Sequence, residues 1–172
     1  MFETDVQPKQ MNYGCVFCRT TREKSVAKAL EEWFPGLRAT AVSRIKNRSE
    51  QGRKYTEEQI LLPGYVFFRT ETEFLNEPIR VQDVIRLLKN PQESWRLIGS
   101  DARFAEFVFQ HDGILELSKV RNLGDTVKVI EGPLKEMEGQ IVKIDRHRRS
   151  GLVEFQFDDH LWKTWLAFEF VE

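Results

Sequence analysis

Gly124-Asp125-Thr126-Val127-Lys128-Val129-Ile130-Glu131-Gly132-Pro133 marks the point where the texture of this chain changes. From Gly124 onward, short apolar runs alternate with turn residues, and nothing reads as a long helix. Strands are expected at 126–130, 139–144, 152–157 and 163–166, with a last extended piece at Phe170-Val171. Five short strands within residues 123–172 predict a small SH3-like β-barrel, an architecture that closes its sheet and so avoids exposed edges.

Upstream of that point, strands and helices alternate through about residue 110. Tyr13-Gly14-Cys15-Val16-Phe17-Cys18 reads as a strand, and Thr20-Thr21-Arg22-Glu23 as a capping box opening a helix. Val26, Ala29, Leu30, Trp33 and Phe34 fall at helical spacing, and Pro35-Gly36 ends the run. A second strand is expected at 39–45. It runs into Arg44-Ile45-Lys46-Asn47-Arg48-Ser49-Glu50-Gln51-Gly52-Arg53-Lys54, which has little to bury and is expected as a loop at a hairpin tip. The return strand is placed at 57–61. After the Pro63-Gly64 turn, Tyr65-Val66-Phe67-Phe68-Arg69 is apolar on both faces, the pattern of a central strand. A short helix is expected at 74–78 and a strand at Val84-Ile85-Arg86-Leu87-Leu88. Ser100 is a candidate cap for a helix whose apolar set is Phe104, Phe107 and Val108. The fold class is therefore α+β: a polar tail at 1–11, an α/β sandwich over 12–110, a linker at 111–122 and the barrel over 123–172.

A chain of 172 residues with 41% hydrophobic and 31% charged content fits folded domains, not a disordered or membrane chain. The most apolar stretch, 60–68, is interrupted by Pro63-Gly64 and is too short to span a bilayer. Residues 1–11 hold no signal-peptide core, and two cysteines make no disulfide scaffold. A cytoplasmic location without membrane contact is expected. The net charge of −1 conceals an uneven distribution: residues 9–69 carry +6, residues 70–120 carry −3 and residues 121–172 carry −2. A basic front half admits a nucleic acid or an acidic protein as partner.

Candidate chemistry is sparse. Cys15 and Cys18 have redox-motif spacing, but they lie in a strand rather than at a helix N-terminus, where a thiol's pKa is lowered. Zinc would need two further ligands, and only His111, His147 and His160 remain, without motif spacing. No metal and no cofactor are expected. Phosphate-binding loops, dinucleotide fingerprints and serine elbows are missing from the sequence. His147 sits among arginines, and Asp158-Asp159 is read as a solvated hairpin turn. The chain is not expected to be an enzyme. Arg44, Lys46, Arg48, Arg53 and Lys54 are either a solvated hairpin tip or cations that follow a phosphate backbone. Arg146-His147-Arg148-Arg149 is either a plain turn or an RNA or DNA contact at one end of the barrel.

Three stretches resemble the NusG family of transcription elongation factors. Leu62-Pro63-Gly64-Tyr65-Val66-Phe67 is similar to the F-P-G-Y-V segment of the family's N-terminal (NGN) domain, and residues 20–30 to that domain's opening helix. Gly124-Asp125-Thr126-Val127 with Gly132-Pro133-Leu134-Lys135-Glu136-Met137-Glu138-Gly139 looks like the KOW motif of its C-terminal barrel. The resemblance spans about residues 12–171. It implies a non-catalytic factor whose first domain binds the clamp helices of the largest RNA polymerase subunit and suppresses pausing. The polymerase-binding patch would be Tyr13, Leu62, Pro63, Gly64, Tyr65, Phe67 and Phe68. The barrel would recruit a ribosomal protein, a termination factor or nucleic acid. Gly14 stands where the family usually has a second aromatic, and Leu62 and Leu134 where it has phenylalanine. These departures resemble a specialised antitermination factor of the LoaP or RfaH kind, recruited to chosen operons by a DNA or RNA element. A housekeeping elongation factor and a free-standing KOW-type RNA-binding protein are the alternatives.

Overall fold

The computed structural model describes residues 10–74 and 77–172. The tail expected at 1–11 falls mostly outside these residues, as does the middle of the short helix expected at 74–78.

The first part of the chain runs β1 (Asn12–Cys18), α1 (Glu23–Trp33), β2 (Arg38–Ala41), β3 (Ser43–Glu50), β4 (Arg53–Ile60), β5 (Tyr65–Thr70), β6 (Val84–Leu87) and α2 (Gly99–Gln110). Four of these strands form a sheet in the order β2-β5-β1-β6, with β5 and β1 in the middle. β5 is interior because both its faces are apolar: Tyr65, Val66, Phe67 and Phe68 are all buried. Side chains alternate along it, so Val66 and Phe68 pack with Val26, Leu30 and Trp95 on the α1 side. Tyr65 and Phe67 face the other way, toward Phe104 and Val108 of α2.

The start of α1 differs from the expected capping box. Arg22, not Thr20, is the N-cap, and no side chain caps it. Glu23 instead accepts the Gly64 amide at 2.8 Å and the Thr21 amide at 3.3 Å while only 3% exposed. A buried carboxylate needs such donors, and here they tie the helix start to the turn before β5. Ser100 likewise lies inside α2, whose N-cap is Ile98. The strand expected at 39–45 is two strands that part at Val42. β2 stays in the central sheet while β3 leaves it to pair with β4.

That second pairing corrects the expected basic loop. β3 and β4 are in register from Ser43↔Ile60 to Glu50↔Arg53, leaving only Gln51 and Gly52 as the turn. Both have positive φ, 49° and 76°, as a two-residue hairpin turn requires. The cations are thus held on a ladder.

The second part holds β7 (Ile114–Leu115), β8 (Ser118–Asn122), β9 (Val127–Glu131), α3 (Pro133–Glu136), β10 (Ile141–Asp145), β11 (Ser150–Phe157) and β12 (His160–Val171). The barrel sheet has the order β10-β11-β12-β8-β9. The pieces expected at 163–166 and 170–171 are one long strand, β12, which pairs first with β11 and then, in parallel, with β8. Residues 111–122, read as a linker, carry two strands. β7 pairs with β3, and β8 is a barrel strand between β12 and β9. Among the described residues, no helix is long and apolar enough to cross a membrane.

Candidate functional site

The two parts share a continuous apolar core. Tyr65, Phe67 and Phe104 from the first belong to one buried cluster with Phe155 and Phe157 from the barrel. Phe157 ends β11 and inserts its ring against Phe67 at 5.0 Å, Tyr65 at 5.3 Å and Phe104 at 5.6 Å. Phe155, two residues earlier on the same face, stacks on Phe104 at 4.7 Å with the ring planes 11° apart. Trp162 of β12 closes the edge, 5.9 Å from Tyr65, with its indole N–H donating to the Phe157 carbonyl.

A polar contact caps this packing. The β11–β12 turn is Asp158-Asp159, both at positive φ (52° and 58°), a backbone that aspartate tolerates well. Asp158 Oδ2 accepts the Tyr65 hydroxyl at 2.8 Å and pairs with Arg86 at 2.7 Å. Arg86 in turn lies 5.5 Å over the Phe17 ring. Burial, and then the bond to Asp158, pushes the Tyr65 phenol up to about 12. Asp101 at the start of α2 is raised by burial and by the nearby Asp158 and Asp159 charges, although it accepts an Asp158 backbone N–H. Asp158 is therefore an anchor between the two parts, not the solvated turn residue expected. A partly exposed ion pair adds about 0–1 kcal/mol. Each aromatic pair adds about 0.5–1.5 kcal/mol beyond the area it buries. The rings hold the parts together, and the polar contact fixes how they meet.

The residues expected to bind polymerase are dispersed by this arrangement. Tyr65 and Phe67 lie under the barrel, and Leu62 is 1% exposed in the same cluster. Pro63 is exposed and Gly64 buried at the adjoining turn. Phe68 faces α1 and cannot belong to the same surface. Tyr13 is half-buried against Phe109, at 5.9 Å. Phe104, Phe155, Phe157 and Asp158 are the interface residues that sequence reasoning missed. The amphipathic set Phe104, Phe107 and Val108 was a visible signal for the first of these.

The basic residues fall into a different pattern. Arg44 contacts the barrel, its guanidinium donating to Thr164 Oγ1 at 2.7 Å and to the Trp165 carbonyl. Lys46, Arg48 and Lys54 line a groove whose other wall is His147, Arg148 and Arg149 of the β10–β11 turn. Arg53 sits exposed at the hairpin turn. Arg146 turns away and donates to the Gly124 carbonyl. The two basic runs, about a hundred residues apart in sequence, thus meet across one groove.

Cys15 and Cys18 are free and buried on opposite faces of β1, in different core clusters. Burial pushes the Cys15 thiol well up and the Cys18 thiol to about 11, the reverse of a reactive thiol. Among the described residues, no three metal-ligating side chains come together.

Residues 123–155 match the KOW motif family. No curated protein matches the chain. Among solved structures it is similar to one described as "Domain interaction in Thermotoga maritima NusG", with 19% identity over 92% of this chain and 94% of that chain, and a TM-score of 0.49.

Proposed function

We propose that this protein is a non-catalytic transcription factor that binds RNA polymerase through the face now occupied by the barrel. The observation that carries the reading is the aromatic surface of Tyr65 and Phe67 with Phe104, covered by a KOW-motif unit and not by the sheet's own helix α1. When the barrel leaves, that surface becomes an exposed apolar patch beside the Pro63-Gly64 turn, the kind of patch that marks an interaction site. Two facing helices, such as the polymerase clamp helices, suit a surface of this shape by laying apolar residues into it. The released barrel is then free to hold a second partner. A role in antitermination on selected operons is consistent with that division of labour. A housekeeping elongation factor would use the same two surfaces, and template breadth separates them: run-off transcription should show altered readthrough on only a few templates.

Closure sets the affinity. If the binding-competent open form is a minor population, the observed polymerase affinity falls by that fraction. Co-purification of the full chain with RNA polymerase, repeated with Asp158→Arg, tests the proposal. Substituting arginine removes the Tyr65 acceptor and places a cation against Arg86, so the variant should open and bind more tightly. Failure of both proteins to bind polymerase would defeat the reading.

A further inference from the structure

We infer that the groove between the β3–β4 hairpin and the β10–β11 turn is a binding site for single-stranded nucleic acid that exists only while the barrel is docked. The groove encloses ≈660 Å³, and its lining includes the cations Lys46, Arg48, Lys54, Arg148 and Arg149 against one carboxylate, Glu169. Neither wall alone collects this charge. The hairpin supplies three cations and the barrel turn two.

Several features mark the cations as available, although the Arg148 guanidinium lies 3.9 Å from Asp145 on an exposed side chain. Glu57 lies across the ladder from Lys46, but among the described residues neither Lys46 nor Lys54 is within ion-pair distance of a carboxylate. Arg48 is bonded to Glu57 at 2.6 Å, but both side chains are close to half exposed, and such pairs exchange at little cost. Partial burial, then Arg44 and Arg48, hold the Lys46 ammonium below the ordinary lysine range, so an arriving phosphate would relieve the crowding. The Arg148 amide donates to Asp145 Oδ1 at 2.9 Å, which fixes the turn that presents Arg148 and Arg149. The groove also holds aromatic surface in Trp165 and Tyr55. Cations that track a backbone beside rings that stack on bases are the working parts of single-strand sites.

Docking builds the groove because Arg44 fastens the hairpin to β12, donating to Thr164 and Trp165 directly beside it. If the barrel departs, the two basic walls separate. Nucleic acid in the groove therefore favours the closed form. Resting on the polymerase reading above, a partner of the Tyr65–Phe67 face favours the open form, so each ligand weakens the other by the same factor.

The test needs no polymerase, so its failure leaves the polymerase reading intact. The 172-residue chain is titrated into short labelled RNA and DNA oligonucleotides of one sequence, and into the matching duplex, by fluorescence anisotropy at several salt concentrations. Binding of either single strand is expected, with log K falling as log salt rises by about 0.7 per phosphate contact. Preference for RNA or for DNA identifies the natural strand. Lys46→Gln and Arg149→Gln should each reduce the slope by about one contact's worth. Trp165→Ala should weaken binding about tenfold. Asp158→Arg, with folding checked by circular dichroism, should lose binding, and the swap Arg86→Asp with Asp158→Arg should restore it. Absence of single-strand binding, preference for the duplex, or undiminished binding by Asp158→Arg would each overturn the inference. So would unchanged slopes in both Lys46→Gln and Arg149→Gln.

Discussion

Asp158 shows how one side chain can set the relation between two modules. It supplies the acceptor for the Tyr65 hydroxyl and the partner for Arg86. Tyr65→Phe deletes the hydroxyl and should weaken docking by about 1 kcal/mol, read as a shift in the closed fraction by intramolecular fluorescence transfer. The same bond predicts a pH response. The phenol is ordinarily near 10 and is pushed up to about 12 in the docked form, so docked protein holds this proton more tightly than open protein. Its contribution is complete below pH 10 and disappears as pH rises from 10 toward 12. Opening in that window should be lost in Tyr65→Phe. Asp101 acts in the opposite sense. Raised by burial and by the two turn aspartates, it opposes docking at neutral pH and stops doing so as it protonates in acid. Asp101→Asn should tighten closure by about 0.5 kcal/mol, the scale of a partly solvated charge contact. Gly14 has a packing role: a Cβ there would meet the Phe68 ring at 2.2 Å. Gly14→Ala should cost about 1–3 kcal/mol in a thermal melt, as overpacking does.

At the scale of elements, the sequence was most readable where the local pattern and the final environment agree. β1, β5 and the Pro63-Gly64 turn were legible because aromatic and β-branched runs need no distant partner to be recognised as strands. The hairpin was recognised but shortened. Its exposed, charged strands bury almost nothing, and cross-strand pairing, not hydrophobic pattern, keeps residues 43–60 extended. β8 was missed as a barrel strand for a related reason: only Val120 of Ser118–Asn122 carries a core side chain, and its partners β12 and β9 come later in the chain. The Thr20 capping box failed because Glu23 found a better donor in Gly64, a contact 41 residues away. The candidate site was legible as a list of residues and illegible as an arrangement. Alternation along β5 puts Phe67 and Phe68 on opposite faces, and no local signal says that Asp158 reaches Tyr65. α2 carries a prediction of its own. Phe104→Ala removes a ring that touches both Phe155 and Phe67, and should open the molecule while costing about 3–5 kcal/mol of stability.

For the molecule as a whole, closure hides one surface and assembles another. The rings at Tyr65, Phe67 and Phe104 are covered by the barrel, while Lys46, Arg48 and Lys54 are brought opposite Arg148 and Arg149. The seam is an aromatic core rimmed by the Arg86–Asp158 pair and the Arg44 bonds to Thr164 and Trp165, so opening requires a partner that covers the same rings in the barrel's place. The face covered by the barrel is the proposed polymerase-binding face. The most direct test is the affinity of wild-type and Asp158→Arg protein for immobilised RNA polymerase, with the Arg86→Asp, Asp158→Arg swap alongside. Asp158→Arg should bind roughly tenfold tighter, a gain of about 1.4 kcal/mol, and the swap should return to the wild-type value. Equal affinity of wild type and Asp158→Arg, or no binding by either, would contradict that assignment of the face.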